Sequence, residues 1–159
     1  MSKAGFAGET QLVIFKLGQE EYGVDILSVQ EIIKMVEFTR LPNLPDFVEG
    51  VINLRGKIIP VIDLRKRFNL PPKDHTEENR IVVIDVNNTT IGMIVDGVSE
   101  VLRLTDSTVE PTPAIISSVD TEYLKGVGKL EDRLLILLDI EKIFSMAQQE
   151  QLNNLANAS

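Results

Sequence analysis

Short apolar runs, rich in valine and isoleucine and separated by turn residues, organise this chain. The densest pattern is Glu49 to Phe68, EGVINLRGKIIPVIDLRKRF. Val51, Ile52 and Leu54 predict a short strand. Arg55-Gly56-Lys57 predicts a tight turn, since Gly56 takes a positive φ at no steric cost. Ile58 to Ile62 is apolar and β-branched, as suits a buried strand. Pro60 cannot donate to a ladder, which places this strand at an edge or a barrel corner. Asp63 is an N-cap for one helical turn over Leu64 to Phe68. The stretch has no catalytic pattern. It displays Arg55 on the tip of a stiff hairpin.

The same grammar runs along the rest of the chain. Leu12 to Leu17 predicts a strand that turns at Gly18 to Glu21 into Tyr22 to Ile26. From Val29 to Val36 two periods compete. Val29, Ile32, Ile33 and Val36 fit one helical face, whereas the β-branched content favours a strand after one helical turn. Leu41 to Pro45 is a loop, because its prolines stop any helix. Asn69 to Asn79, with Pro71 and Pro72, is an exposed linker and the best internal boundary. Arg80 to Val86 and Ile91 to Val95 predict a hairpin turning at Asn87-Asn88. Asp106 to Ser118 is a loop, and Val127 to Leu138 holds another hairpin. Asp139 caps a terminal helix with Ile140, Ile143, Phe144 and Ala147 as its buried stripe. Residues 1–9 and 150–159 are expected to be flexible tails.

Two displacements reveal an internal repeat. A shift of 76 residues lays 49–68 on 125–144, with Gly50/Gly126, Val51/Val127, Leu54/Leu130, Asp63/Asp139, Lys66/Lys142 and Phe68/Phe144 identical. A shift of 69 lays 12–34 on 81–103, matching Gly23/Gly92, Val29/Val98 and Glu31/Glu100. Each half offers about five short strands, so two small barrels side by side are expected. They span about 10–70 and 79–145, with strands free to cross between them.

Composition narrows the function. The 33 valines and isoleucines tilt the class toward β. The net charge of −8 disfavours nucleic acid and anionic membrane as partners. No apolar run is long enough to span a bilayer, and the first ten residues lack a signal-peptide core. The absence of cysteine excludes disulfides and thiolate metal sites, in keeping with a reducing cytosol. The sole histidine, His75, lies in a charged linker where nothing excludes water, and reads as a solvated loop residue. Gly126-Val127-Gly128 lacks the third glycine of a dinucleotide loop, and no Walker loop or metal-ligand spacing is present. No catalysis and no cofactor are expected. A nucleic-acid-binding barrel pair and a small-ligand or enzymatic barrel are the competing classes. The charge opposes the first and the empty motif search the second.

Four segments, LVIFKLGQEEYGVDILSVQEI, EGVINLRGKIIPVIDLR, IGMIVDGVSEVLRL and TEYLKGVGKLEDRLLILLDIEKI, together resemble the CheW-type chemotaxis coupling proteins. The similarity runs in order over about residues 10–145. The same fold occurs as the regulatory domain of the chemotaxis histidine kinase and in couplers fused to a receiver domain. This chain resembles the stand-alone coupler. The resemblance implies two five-stranded SH3-like barrels around a joint core, with short helices and a C-terminal helix, and no catalysis. It implies a cytoplasmic adaptor at receptor arrays on the inner membrane, binding the kinase's regulatory domain and the chemoreceptor hairpin tip. Carried over by motif, Arg55, Val29, Glu31 and Gly50 match receptor-coupling positions. Val98 and Val101 match the groove wall of the second barrel, and Ile32 joins them on the apolar strip. Phe38, Thr39 and Arg40 match the edge that faces the kinase.

Overall fold

The computed structural model describes residues 9–42, 44–71, 73–105, 109–110, 124–130, 133–144 and 146–156. Of the expected tail over 1–9, residues 1–8 lie outside the described residues and Glu9 already belongs to the first strand; Pro72 and most of the 106–118 loop lie outside them too. Eleven strands are described: β1 Glu9–Leu17, β2 Glu20–Asp25, β3 Val29–Lys34, β4 Val48–Leu54, β5 Lys57–Asp63, β6 Arg80–Val86, β7 Thr89–Val95, β8 Gly97–Thr105, β9 Val109–Glu110, β10 Leu124–Leu130 and β11 Arg133–Leu138. Helices α1 Leu64–Arg67, α2 Ile140–Ile143 and α3 Met146–Ala156 complete them, with a 3-10 turn at Ile26–Ser28.

The strands form two sheets, in the orders β8-β1-β2-β11-β10-β9 and β3-β6-β7-β5-β4. This is the two-sheet, mainly β arrangement of the SH3-like class. Both displacements read in the sequence recur in the ladders. β3 on β6 pairs Val29 with Ile84 and Glu31 with Val83, skipping Gln30. Sixty-nine residues on, β8 on β1 pairs Val98 with Phe15 and Glu100 with Ile14, skipping Ser99. β4 skips Glu49 against β5, and β10 skips Lys125 against β11. The parallel junctions also match: Gly23 faces Leu137, and Gly92 faces Val61. Sequence halves and sheets nevertheless do not coincide. The 3-10 turn after β2 carries β3 into the second sheet, and Asp96 after β7 sends β8 back to β1.

Between Val29 and Val36 the strand prevails over the helix. Asp25 caps the 3-10 turn by accepting from Leu27 N, and β3 then alternates half-buried and exposed residues along the open edge of β6. That edge supplies a full ladder, and β-branched side chains fit it better than a helix. Of the two placements expected for Pro60, the sheet edge is corrected. β5 lies between β4 and β7, not at an edge. Val51, its partner on β4, turns both its backbone groups outward to Thr39, so Pro60 opposes it in a non-hydrogen-bonded pair. Pairing with β7 starts only at Val61. The missing N–H is therefore not needed on either side.

The C-terminal helix is interrupted. Asp139 caps α2, accepting from Glu141 N at 3.2 Å, and Phe144 is extended at φ −118° before α3 begins. The expected flexible tail over 150–159 is corrected for its described part. α3 continues to Ala156 because Leu152 is fully buried in the main core and Leu155 packs on it. That core draws on both sheets, from Val13, Phe15 and Tyr22 through Val82, Ile84 and Met93 to Ile136 and Phe144. Smaller clusters fill each sheet's own interior. Arg67 of α1 ties the C-terminal elements down. It donates to Ile143 O at 2.9 Å and lies over the Phe144 ring at 5.6 Å.

Asp63 illustrates a cap under tension. Its carboxylate accepts from Arg65 N at 2.9 Å. Burial nevertheless pushes its pKa above the ordinary aspartate range, and the charge of Glu49 adds to the rise. A raised folded-state pKa means that the charged form weakens the fold at neutral pH and that protonation relieves this as pH falls. Asp63→Asn keeps the cap without the charge and is expected to hold or raise the melting temperature. Asp63→Ala is expected to lose about 1 kcal/mol. Thermal unfolding at neutral pH checks both, and a large loss in the asparagine variant would contradict the burial argument.

Candidate functional site

The candidate residues fall into three local assemblies. The first is the tip of the β4–β5 hairpin. Leu54 pairs with Lys57, leaving a two-residue turn with Arg55 at φ 53° and Gly56 at φ 86°. Asn53 Oδ1 accepts from Gly56 N at 2.8 Å and fixes the turn. Glycine takes that conformation freely, whereas arginine takes it against a steric cost. Arg55 is 70% exposed, yet it reaches across to β3 and forms a two-point ion pair with Glu31, one contact being 3.3 Å. Hydrogen bonding to Glu31, then its charge, hold the Arg55 guanidinium above the usual arginine range. Two residues identified separately from the sequence thus form one unit, while Ile32, the next residue on β3, is 39% exposed and alternates to the other face of the strand.

The other sheet carries the counterpart of this device. Arg133 at the start of β11 donates to Glu21 on β2 and to Glu100 on β8, at 3.0 and 2.9 Å. Glu100 is the repeat equivalent of Glu31. In each sheet a cation on a hairpin reaches the edge strand at the other end of the strand order, β3 in one sheet and β8 in the other.

The second assembly is the seam. Val29 and Val98 are half-buried, and both pack on the joint core. Their equivalence brings the two edge strands to one hydrophobic cluster. Val101 stands further along β8, opposite Val13, and is 49% exposed.

The third assembly surrounds Gly50, which is buried and therefore no surface contact itself. A Cβ there would stand 2.6 Å from Thr39 O and 2.8 Å from Phe38 Cδ2. Thr39 bridges to Val51 through two backbone hydrogen bonds of 2.9 Å, covering the outer edge of β4. Phe38 packs on the second sheet's cluster, and Arg40 lies over its ring at 5.8 Å. Gly50 thus supports the Phe38–Arg40 strap from below, which ties one residue expected at the receptor side to the expected kinase side.

Two features escaped the sequence reading. Leu27, 90% exposed, is held out on the 3-10 turn by the Asp25 cap. The Asp-Ile-Leu-Ser spelling carries that cap signal. Leu134, 49% exposed, sits beside the Arg133 ion pairs, and nothing in its apolar run distinguishes it from its buried neighbours. His75 is exposed, as the linker reading expected, and lines a shallow groove with Met35, Val36, Glu37 and Phe38. Among the described residues no group of three His, Cys, Asp or Glu could hold a metal ion. No helix among them is long and apolar enough to cross a membrane.

Comparison with known proteins identifies the family and the fold. The family model for the CheW-like domain matches residues 11–148. The chemotaxis protein CheW of Klebsiella aerogenes is 45% identical over 96% of this chain and 93% of its own length. The protein of that name from Treponema pallidum is 38% identical, covering 91% and 88%. The crystal structure of the scaffolding protein TtCheW from Thermoanaerobacter tengcongensis superimposes with a TM-score of 0.79 at 39% identity, covering 86% of this chain and 93% of that one. The chain therefore belongs to the CheW-like family of non-catalytic chemotaxis scaffold proteins.

Proposed function

We propose that this chain is the adaptor that couples chemoreceptor cytoplasmic tips to the chemotaxis histidine kinase, through the kinase's regulatory domain, in cytoplasmic arrays at the inner membrane. The observation that carries this reading is the Arg55–Glu31 pair. A strained, exposed arginine locked to an edge strand is a poor stability device but a stiff recognition surface. Val29, Glu31, Ile32, Arg55, Val98 and Val101 make the receptor side, onto which the apolar face of a helical hairpin fits. Gly50 acts on partners through the strap it supports. Phe38, Thr39 and Arg40 make the kinase side. The mechanism is geometric: one surface holds the kinase and another the receptor, so a receptor change reaches the kinase through their shared scaffold.

The test is a pull-down with a receptor cytoplasmic fragment and the kinase, using two surface variants. Arg55→Ala is expected to keep the melting temperature within about 2 °C, because exposed-site changes are small, and to lose receptor binding and kinase activation. Val101→Asp is expected to weaken the receptor fragment about tenfold while kinase binding persists. Val101 suits this better than Val98, whose half-burial on the core would confound folding with binding. Folded variants that bind and activate as the parent does would refute the reading.

A further inference from the structure

We infer that this protein carries a second, unassigned site: a cationic cavity at the junction of the two sheets that takes a small polyanion bearing phosphoryl or carboxylate groups. The cavity, about 340 Å³, is lined by Lys16, Gly18, Lys73, Glu78, Arg80, Asp96, Gly97 and Val98. Its size falls at the lower end of the range for small-molecule sites.

The charge balance of its wall carries the inference. Asp96 is already neutralised. Its two oxygens accept from Arg65 Nε at 2.8 Å, Arg65 Nη2 at 2.7 Å and Gly18 N at 2.8 Å. Lys16, Lys73 and Arg80 then face Glu78 as the one remaining anion. None of the three cations forms a salt bridge with a described residue. Arg80 is also fixed in place, since it donates to Glu77 O and Asn79 O at 2.8 Å each. The loop that supplies those carbonyls is held by buried Asn79, which donates to Val95 O at 3.0 Å. A protein of net charge −8 thus gathers three cations, none in a salt bridge with a described residue, against one remaining anion around one polar concavity. Neighbouring like charges raise one another's energy, and an anion between them removes that cost. A fixed guanidinium gives the planar donor geometry that carboxylates and phosphates share.

The site is separate from the Arg55 hairpin but meets the seam, because Val98 forms part of its wall and also packs on the joint core. An anion bound there would touch the edge strand of the proposed receptor side from behind.

The test is an amide NMR titration of the full chain with inorganic phosphate, pyrophosphate and citrate, at constant ionic strength and pH, with chloride as the control. The expected result is a saturable shift of Gly18, Gly97 and Val98 with pyrophosphate or citrate. Lys16→Gln/Lys73→Gln should weaken it at least tenfold while leaving the spectrum otherwise folded. Saturation by pyrophosphate alone names a phosphoryl ligand, and saturation by citrate alone names a polycarboxylate. Shifts that rise linearly with every anion, or that persist in the double variant, would overturn the site. Receptor-fragment binding of the double variant is read separately, so failure here leaves the adaptor reading untouched.

Discussion

Asp96→Asn is expected to lower stability by about 2–4 kcal/mol, the largest loss from any single polar change proposed for this chain. Asp96 lies between β7 of one sheet and β8 of the other. Its carboxylate joins Arg65 at the start of α1 to Gly18 in the β1–β2 turn. The ion-pair side chains are only 12% and 11% exposed. Asparagine puts an amide donor against the donors of Arg65 and Gly18, so a largely buried guanidinium loses its counter-charge. The acid dependence gives a second signature. Burial alone would raise the Asp96 pKa, but the hydrogen bonds from Arg65 and Gly18 outweigh it and hold the carboxyl below its ordinary range. A depressed folded-state pKa contributes stability that is fully present above the unfolded value of about 3.9 and fades as pH falls through the folded value. Parent and variant should therefore differ most at neutral pH, and the difference should narrow as pH falls below about 4. Urea unfolding over that range measures this. A constant difference would mean that the loss comes from packing rather than from charge.

Gly50→Ala is expected to detach the Phe38–Arg40 strap, at a cost of about 2–3 kcal/mol. The added methyl meets the Thr39 carbonyl oxygen, which is backbone and cannot rotate away. Relief requires the strap to lift, which breaks both Thr39–Val51 hydrogen bonds and pulls Phe38 from its cluster. Hydrogen exchange locates the damage. Protection should fall at Thr39 and Val51 while the β6–β7 amides stay protected. Kinase binding should fall with it, and the Arg55–Glu31 surface should survive. If Thr39 remains protected and kinase binding is unchanged, the strap does not depend on Gly50.

Much of this architecture was legible in the chain because its causes are local. Asp63 and Asp139 spell caps wherever they stand, and each does cap a four-residue helix. Arg55-Gly56 and Asn87-Asn88 spell tight turns, and each closes a hairpin. The repeat was legible for the same reason, since two copies of one local grammar preserve their spacing. The resemblance added residue roles that periodicity alone does not supply. The pairing of Arg55 with Glu31, 24 residues apart, carried no signal in either segment.

The strands, the turns, the caps and the two displacements that relate them follow from local pattern, because each depends on side chains within a few residues of one another. Which strand joins which sheet depends on segments far apart in the chain, and the folded packing settles it. β3 and β8 leave their own halves because the 3-10 turn and Asp96 aim each at the open edge of a distant strand, where a ladder and an apolar seam reward the crossing. The packing also decided what anchors α3. Leu152 sits in a polar run that reads as a tail, and only the packing of α3 on β5 and β7, over the main core, makes its burial favourable. Such contacts exist only once distant segments have met, so no local pattern records them.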